Sequence, residues 1–286
     1  MKQISANLLL LVLLLVGTHF TKCSDNTPTA TEATSGEFTL LTYNVAGLPQ
    51  QISPGNPEKN IPLISPLLNG YGVALIQEDF YYHEELQSLT KHRYKSTPKA
   101  TKEQFAAGDG LNRFSKFSFS LFKRAQWSRC SNENGNDCLA KKGFSAAETE
   151  IASGVKIDIY NLHMDAGGTQ QDLDARTAQI EQLIREIKTR SADKPVIVAG
   201  DINLNIERRP ADQPLLQKLL DEANLTDACF ATGCTTQLVD RILYRGSNNI
   251  RLKVVEWKTD PTFVDENGDR LSDHFAVGVR IGWETL

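Results

Sequence analysis

Six short apolar runs rich in β-branched residues limit what this chain can become. They are "FTLLTYNV", "VALIQED", "KIDIYNLHM", "PVIVAGDINL", "VDRILY" and "HFAVGVRI". Each is the length of a buried strand and too short for a buried helix. Between the third and fourth lies "DLDARTAQIEQLIREIKTR", where Ala175, Ile180, Leu183, Ile184 and Ile187 recur at helical spacing with Gln, Glu and Arg opposite. The spacing predicts a helix there, a shorter one at "LLQKLLDEA", and another at "NIPLISPLLN" before the second strand. Mixed strands and helices, with short antiparallel-looking segments near the end, predict an α/β sandwich of two sheets with helices outside.

No linker, repeat or change of composition follows Phe38, so residues 38–286 are expected to form one domain. Ahead of it, "MKQISANLLLLVLLLVGTHFTKC" has a basic start and an apolar centre from Leu8 to Val16. That centre falls short of the roughly 20 apolar residues a membrane span needs, and residues 1–23 read as a secretory signal. Cys23 behind such a segment fits a lipoprotein start, although Lys22 stands where that site wants a small residue; a freely secreted product is the favoured reading. Residues 24–37, Thr/Ser/Ala-rich and aperiodic, read as a disordered tether. The remaining cysteines form two close pairs, Cys130/Cys138 and Cys229/Cys234, which in an exported chain predict two local disulfides. Neither pair has the spacing of a zinc knuckle.

Five of the predicted strands carry a polar, ligand-type residue at one end: Asn44, Glu78, His163, the pair Asp201 and Asn203, and, entering the last strand, Asp273 with His274. Singly, each has an ordinary structural explanation, such as a turn cap or a hydrogen-bonded core histidine. Jointly they predict groups converging on a cleft at one edge of the sheets. Oxygen ligands of this kind suit a hard ion such as Mg²⁺, with Mn²⁺ able to substitute, and two histidines among carboxylates can move protons near neutral pH. No phosphate-binding P-loop and no "HExxH" is present. The "GDG" of "AAGDGLNRF" reads as a turn into a strand, and "DENGD" as a hairpin turn.

"LTYNV", "QED", "NLHMDAG", "GDINL", "VDRIL" and "LSDH" come in the order seen in the endonuclease/exonuclease/phosphatase superfamily, which the chain resembles from Phe38 to Trp283. The resemblance implies a four-layered, deoxyribonuclease I-like α/β sandwich and Mg²⁺-dependent phosphodiester hydrolysis. It implies that Glu78 is the principal metal ligand with Asn44 close to the ion. His274 resembles the family's general base or phosphate-binding histidine, with Asp240 holding its ring. Asp201 and Asn203 match the pair that orients the attacking water and stabilises the strained phosphorane, Asn203 thereby also binding substrate. His163 matches the histidine that assists the leaving group, and Asp273 a position where a second ion or the phosphate is approached.

"CLAKKGFSAAETEI" ahead of the histidine strand resembles the bacterial-type sphingomyelinase C branch, with Lys142 and Gly143 carrying the match and Lys142 expected to bind substrate. The expected substrate is therefore a phospholipid, sphingomyelin above all, met in transient contact with a membrane surface. "WKTDPTFVDENGDRL" departs from that branch. It is short and polar, which argues against strong bilayer insertion. With 31 Lys and Arg against 35 Asp and Glu, and no Lys/Arg run longer than two, a basic nucleic-acid groove is not evident. A secreted deoxyribonuclease I-like endonuclease and an inactive binding protein on the same scaffold remain the alternatives. A monomer is expected.

Overall fold

The structure is a computed structural model that describes residues 33–133 and 137–286. The leader and residues 24–32 of the expected tether lie outside the described residues. The first strand, β1 (Ser35–Asn44), starts three residues before Phe38, because Ser35, Gly36 and Glu37 pair with Glu284, Trp283 and Gly282 of the last strand. Backbone pairing, which composition does not report, takes those three residues out of the tether.

Sheet A contains β1, β2 (Val73–Gln77), β3 (Tyr94–Lys95), β4 (Asn112–Ser115), β11 (Ile250–Thr259) and β12 (Val277–Thr285), in the order β11-β12-β1-β2-β4-β3. Sheet B contains β5 (Ser118–Gln126), β6 (Gly143–Ala152), β7 (Val155–His163), β8 (Val196–Asp201), β9 (Thr226–Asp227) and β10 (Asp240–Arg245), in the order β5-β6-β7-β8-β10-β9. Pairing is antiparallel except for β1 with β2 and β7 with β8. Those two parallel pairs need crossovers, which carry α1 (Pro57–Leu67) and α3 (Gln170–Arg190). The other helices are α2 (His83–Gln87), α4 (Gln213–Ala223) and α5 (Ala228–Ala231). Among the described residues, no helix is long and apolar enough to cross a membrane.

Three apolar layers hold these elements together. Leu40, Leu75, Ile157, Ile159, Ile197, Ala199, Ile242 and Val279 fill the space between the sheets. Tyr160, Leu162, Val196 and Val198 point the other way, into a layer with Ile180, Leu183 and Ile187 of α3 and Leu216 and Leu219 of α4. Leu41, Tyr43, Ala74 and Ile76 do the same for sheet A against Ile61 and Ile64 of α1. Alternate residues of one strand thus serve two layers, as the period of two requires. The result is helix, sheet, sheet, helix: the four-layered sandwich expected. All five apolar positions read for α3 are buried, and its start is fixed by a capping box between Thr169 and Asp172. Both cysteine pairs are disulfides.

Candidate active site

The side chains that bury the inter-sheet layer determine what stands at its end. On β1, Phe38 and Leu40 face between the sheets, and Thr42 and Asn44 continue that face. On β7, Ile157 and Ile159 are followed by Asn161 and His163, and on β8, Ile197 and Ala199 by Asp201. On β10, Ile242 is preceded by Asp240. The layer therefore grades from hydrocarbon to amides, where Gln77 Nε2 donates to Asn161 Oδ1 at 2.6 Å and to Thr42 Oγ1 at 3.0 Å. Carboxylates and imidazoles come after that.

Strand register aligns this last row. His163 is the ladder partner of Asp201, and Asp201 that of Asp240. Gly200 makes the close approach possible, since a Cβ there would lie 2.0 Å from the Leu162 carbonyl oxygen. Sheet A contributes Asn44 and, one residue past β2, Glu78. A left-handed backbone (φ +56°) turns Glu78 out of the strand. That turn packs on Gly110, itself at φ +64°, where a Cβ would stand 3.0 Å from the Glu78 Cα.

Asp201 joins the two sheets. Its Oδ2 accepts the Asn44 amide at 3.2 Å, and lies 3.3 Å from His163 Nε2 and 3.7 Å from His274 Nε2. Its Oδ1 accepts the backbone N–H of Asn203. The same Asn44 amide also donates to Glu78 Oε1 at 3.0 Å, and that oxygen lies 3.9 Å from His163 Nε2. His274 Nδ1 is 2.8 Å from Asp240 Oδ2. Burial works against the His274 imidazolium, but the Asp240 and Asp201 carboxylates outweigh it and hold its pKa well above the usual histidine range. Burial also pushes Asp201 up, but His163 and His274 overcome it and keep that carboxylate well below its usual range.

Six of the nine residues expected at the site, Asn44, Glu78, His163, Asp201, Asp240 and His274, therefore meet directly. Asn203 is adjacent, in the left-handed region, with its amide donating to the Met164 carbonyl at 3.0 Å. Lys142 reaches that same carbonyl at 3.4 Å and pairs with Asp137 at 2.5 Å. Asp273 meets the group only through Ser272, whose hydroxyl lies 3.3 Å from its Oδ1. It is exposed, on the wall of a cleft of about 580 Å³ that Glu78 also lines.

Sequence reading missed three contributors. Ser272, inside "LSDH", donates to the Asn44 carbonyl at 2.7 Å and accepts the His274 N–H, tying the histidine loop to β1. Asp137 holds Lys142, but lies in a loop without periodicity. Arg270 lines the same cleft as Glu78, with its guanidinium 4.4 Å from the Phe275 ring. The expected hairpin turn is present, bridged at Val264 and Arg270.

Asp201, Asp240 and His274 each offer a metal-ligand atom, all within 4.8 Å of one another. A proton must occupy the 2.8 Å contact between His274 Nδ1 and Asp240, so that pair is committed to itself. Glu78 is better suited to hold a cation. It is half-buried, faces the cleft, and its Oε2 has no hydrogen-bond partner among the described residues. The buried Asp240 Oδ1 also lacks a partner among the described residues. Carboxylate oxygens without a protein partner fit a hard divalent ion.

Residues 86–229, half the chain, match the family described as endonuclease/exonuclease/phosphatase family 2. The chain belongs to that family. It is 34% identical to sphingomyelinases of Mycobacterium bovis and Mycobacterium tuberculosis over 271 residues, an alignment covering 87% of this chain and 53% of theirs. It thus spans about half the length of those relatives. Among solved structures, sphingomyelinase C from Streptomyces griseocarneus superposes with a TM-score of 0.62 at 17% identity, covering 86% of this chain and 99% of that one. D. rerio TDP2 complexed with a single-strand DNA product gives 0.64 at 16% identity, covering 86% and 98%. Likenesses this distant establish the fold and do not separate lipid from nucleic acid.

Proposed function

We infer that this chain is an exported, Mg²⁺-dependent phosphodiesterase that cleaves the head-group bond of a phospholipid, releasing phosphocholine from sphingomyelin. One observation carries the hydrolytic reading: the Asn44 amide joins Glu78 to Asp201 across the two sheets, directly beside both histidines. The 34% identity to the mycobacterial sphingomyelinases supports the substrate. Two disulfides are consistent with an extracytoplasmic location, and a leader over residues 1–23 followed by a tether belongs to the same reading.

Glu78, with Asn44 beside it, would hold the ion, whose double charge offsets the negative charge building on the phosphoryl oxygens. Mn²⁺ would serve in its place, and Asp273 on the cleft wall would meet a second ion or the phosphate. Asp201, which stays ionised, aims the attacking water together with Asn203. The His274–Asp240 pair takes the proton that water gives up when His274 is neutral; when His274 is charged, it holds a phosphoryl oxygen and Asp201 takes that proton. As the bond from phosphorus to the ceramide-side oxygen breaks, His163 supplies a proton to that oxygen. Lys142, beside Met164, holds the substrate from the same side.

A nuclease reading rests on the likeness to the DNA-bound structure. Assaying the protein with Mg²⁺ against sphingomyelin and duplex DNA separates the two. The lipid reading predicts phosphocholine release. Efficient, steeply salt-inhibited DNA nicking without phosphocholine release would overturn it in favour of the nuclease.

A further inference from the structure

Glu78 lines two clefts of similar size, and the larger and more exposed apolar side chains belong to one of them. One, already described, sets Asn56, Asn60, Arg270 and Asp273 among apolar residues such as Pro57 and Leu271. The other, about 540 Å³, is walled by Leu48, Ile52, Phe80, Phe105 and Leu139, and the Lys142–Asp137 pair also lines it. Ile52 is 60% exposed and Leu139 59%. They come to one cleft from chain segments far apart, the loop after β1 and the loop behind the Cys130–Cys138 disulfide. The hairpin at Val264–Arg270 offers no such surface, since Phe263 is buried edge-on against Tyr43.

A phosphodiester that carries a polar group on one oxygen and hydrocarbon on the other would fit this division with phosphorus near Glu78. The apolar cleft also includes Lys142 and Ala166, the latter three residues past His163 at the end of β7. His163 is the group that protonates the leaving oxygen. We propose that the Ile52–Leu139 cleft binds the hydrocarbon portion of the lipid next to the leaving oxygen, while the Arg270 cleft receives the head group. The proposal rests on the lipid reading above and adds an orientation to it. Continuity with the site argues for substrate as the occupant, because a bound chain would reach Glu78 and Lys142 without leaving the groove.

The test uses the double variant Ile52→Ser/Leu139→Ser. Both side chains are exposed, so no core cavity is created. Turnover is measured on sphingomyelin in detergent micelles and on a water-soluble nitrophenyl ester of phosphocholine, which has no hydrocarbon chain to place. The expected result is a fall of about tenfold in the ratio of lipid to soluble-ester kcat/KM, restored by Ile52→Met/Leu139→Met, because apolar contact and not shape is what the cleft supplies. Leu89→Ser, which removes an equally exposed leucine elsewhere, should leave the ratio unchanged. An unchanged ratio in the double variant of a protein that cleaves lipid overturns the proposal alone. A change in sedimentation with no change in ratio would assign the cleft to a second copy of the chain and also overturn it. Wild-type protein that releases no phosphocholine from any lipid overturns the lipid reading and this proposal together.

Discussion

Replacing Asn44 by Asp changes almost no volume and reverses the role of one atom. Asn44 Oδ1 accepts the Ala46 N–H at 3.0 Å, and an aspartate can keep that bond. Its Nδ2, however, donates to Glu78 Oε1 at 3.0 Å and to Asp201 Oδ2 at 3.2 Å, and the substitution puts an acceptor there. With all three carboxylates ionised, each new contact would cost about 5 kcal/mol at an effective dielectric constant of about 20. Taking up a proton is cheaper. For a carboxyl of ordinary pKa that costs about 4 kcal/mol at pH 7 and about 1.5 kcal/mol at pH 5. Protonation therefore wins over repulsion and limits the damage. Residue 44 would have its folded-state pKa raised, so its cost is absent below the unfolded value of about 4 and grows as pH rises toward the folded value.

The expected outcome is a metal-free melting temperature about 10 °C below wild type at pH 7 and only a few degrees below it at pH 5. Added Mg²⁺ or Mn²⁺ should close most of the pH 7 gap, because a divalent cation replaces the missing proton as the group that three acceptors share. Thermal denaturation at both pH values, with EDTA and with each ion, reads this without any substrate. A loss that is equal at pH 5 and pH 7 and insensitive to divalent ions would refute the account of the cluster as an anionic site completed by a cation.

Chelation should abolish hydrolysis and Mg²⁺ or Mn²⁺ restore it; full activity after exhaustive EDTA treatment would end the metal reading. Glu78→Gln should weaken the metal dependence and lower kcat together, since an amide offsets less of the ion's charge. His274→Ala and Asp201→Ala should each cost several orders of magnitude in kcat, and Asp240→Asn less, about 10²-fold to 10³-fold, because it only orients His274. Collapse of the melting temperature in the first two would indicate that these groups hold up the fold instead. Apart from catalysis, His83 Nδ1 lies 2.5 Å from Asp79; burial disfavours its charge, but Asp79 raises its pKa overall. That stabilisation is present below about 6.5 and fades as pH rises through the folded value, so His83→Gln should lower the melting temperature more at pH 6 than at pH 9.

The strands legible in the sequence are those buried on both faces, such as β8, where Val196, Ile197, Val198 and Ala199 are all in the core. The others lacked that continuity. β11 alternates Ile250, Leu252 and Val254 with exposed Arg251, Lys253 and Val255, a period-two signal that its charged residues obscure. β6 is built from small residues around Ala146 and Ala147, and β5 is an exposed edge strand. β3 and β9, two residues each, exist only because β4 and β10 lie beside them. In the site, residue types at strand ends were readable. The contact between Asn44 and Asp201 was not, because it joins strands of different sheets 157 positions apart. Ile52 and Leu139 gave no signal at all, as single apolar residues in polar loops have no period to reveal them.

One constraint connects the legible part of the fold to the legible part of the site. Asn44, His163, Asp201 and Asp240 each lie an even number of residues from a core residue that faces between the sheets: Leu40, Ile159, Ala199 and Ile242. Hydrophobic burial thus fixes the direction of the polar groups before any hydrogen bond forms. A slip of β8 by one residue would turn Ile197 and Ala199 away from the inter-sheet layer and turn Asp201 away from Asn44 by the same motion. The alternation that makes the wrong register costly in buried area also makes it catalytically empty. The carboxylate cluster, which is unfavourable by itself, is held in place by hydrocarbon contacts along the whole length of the same strands.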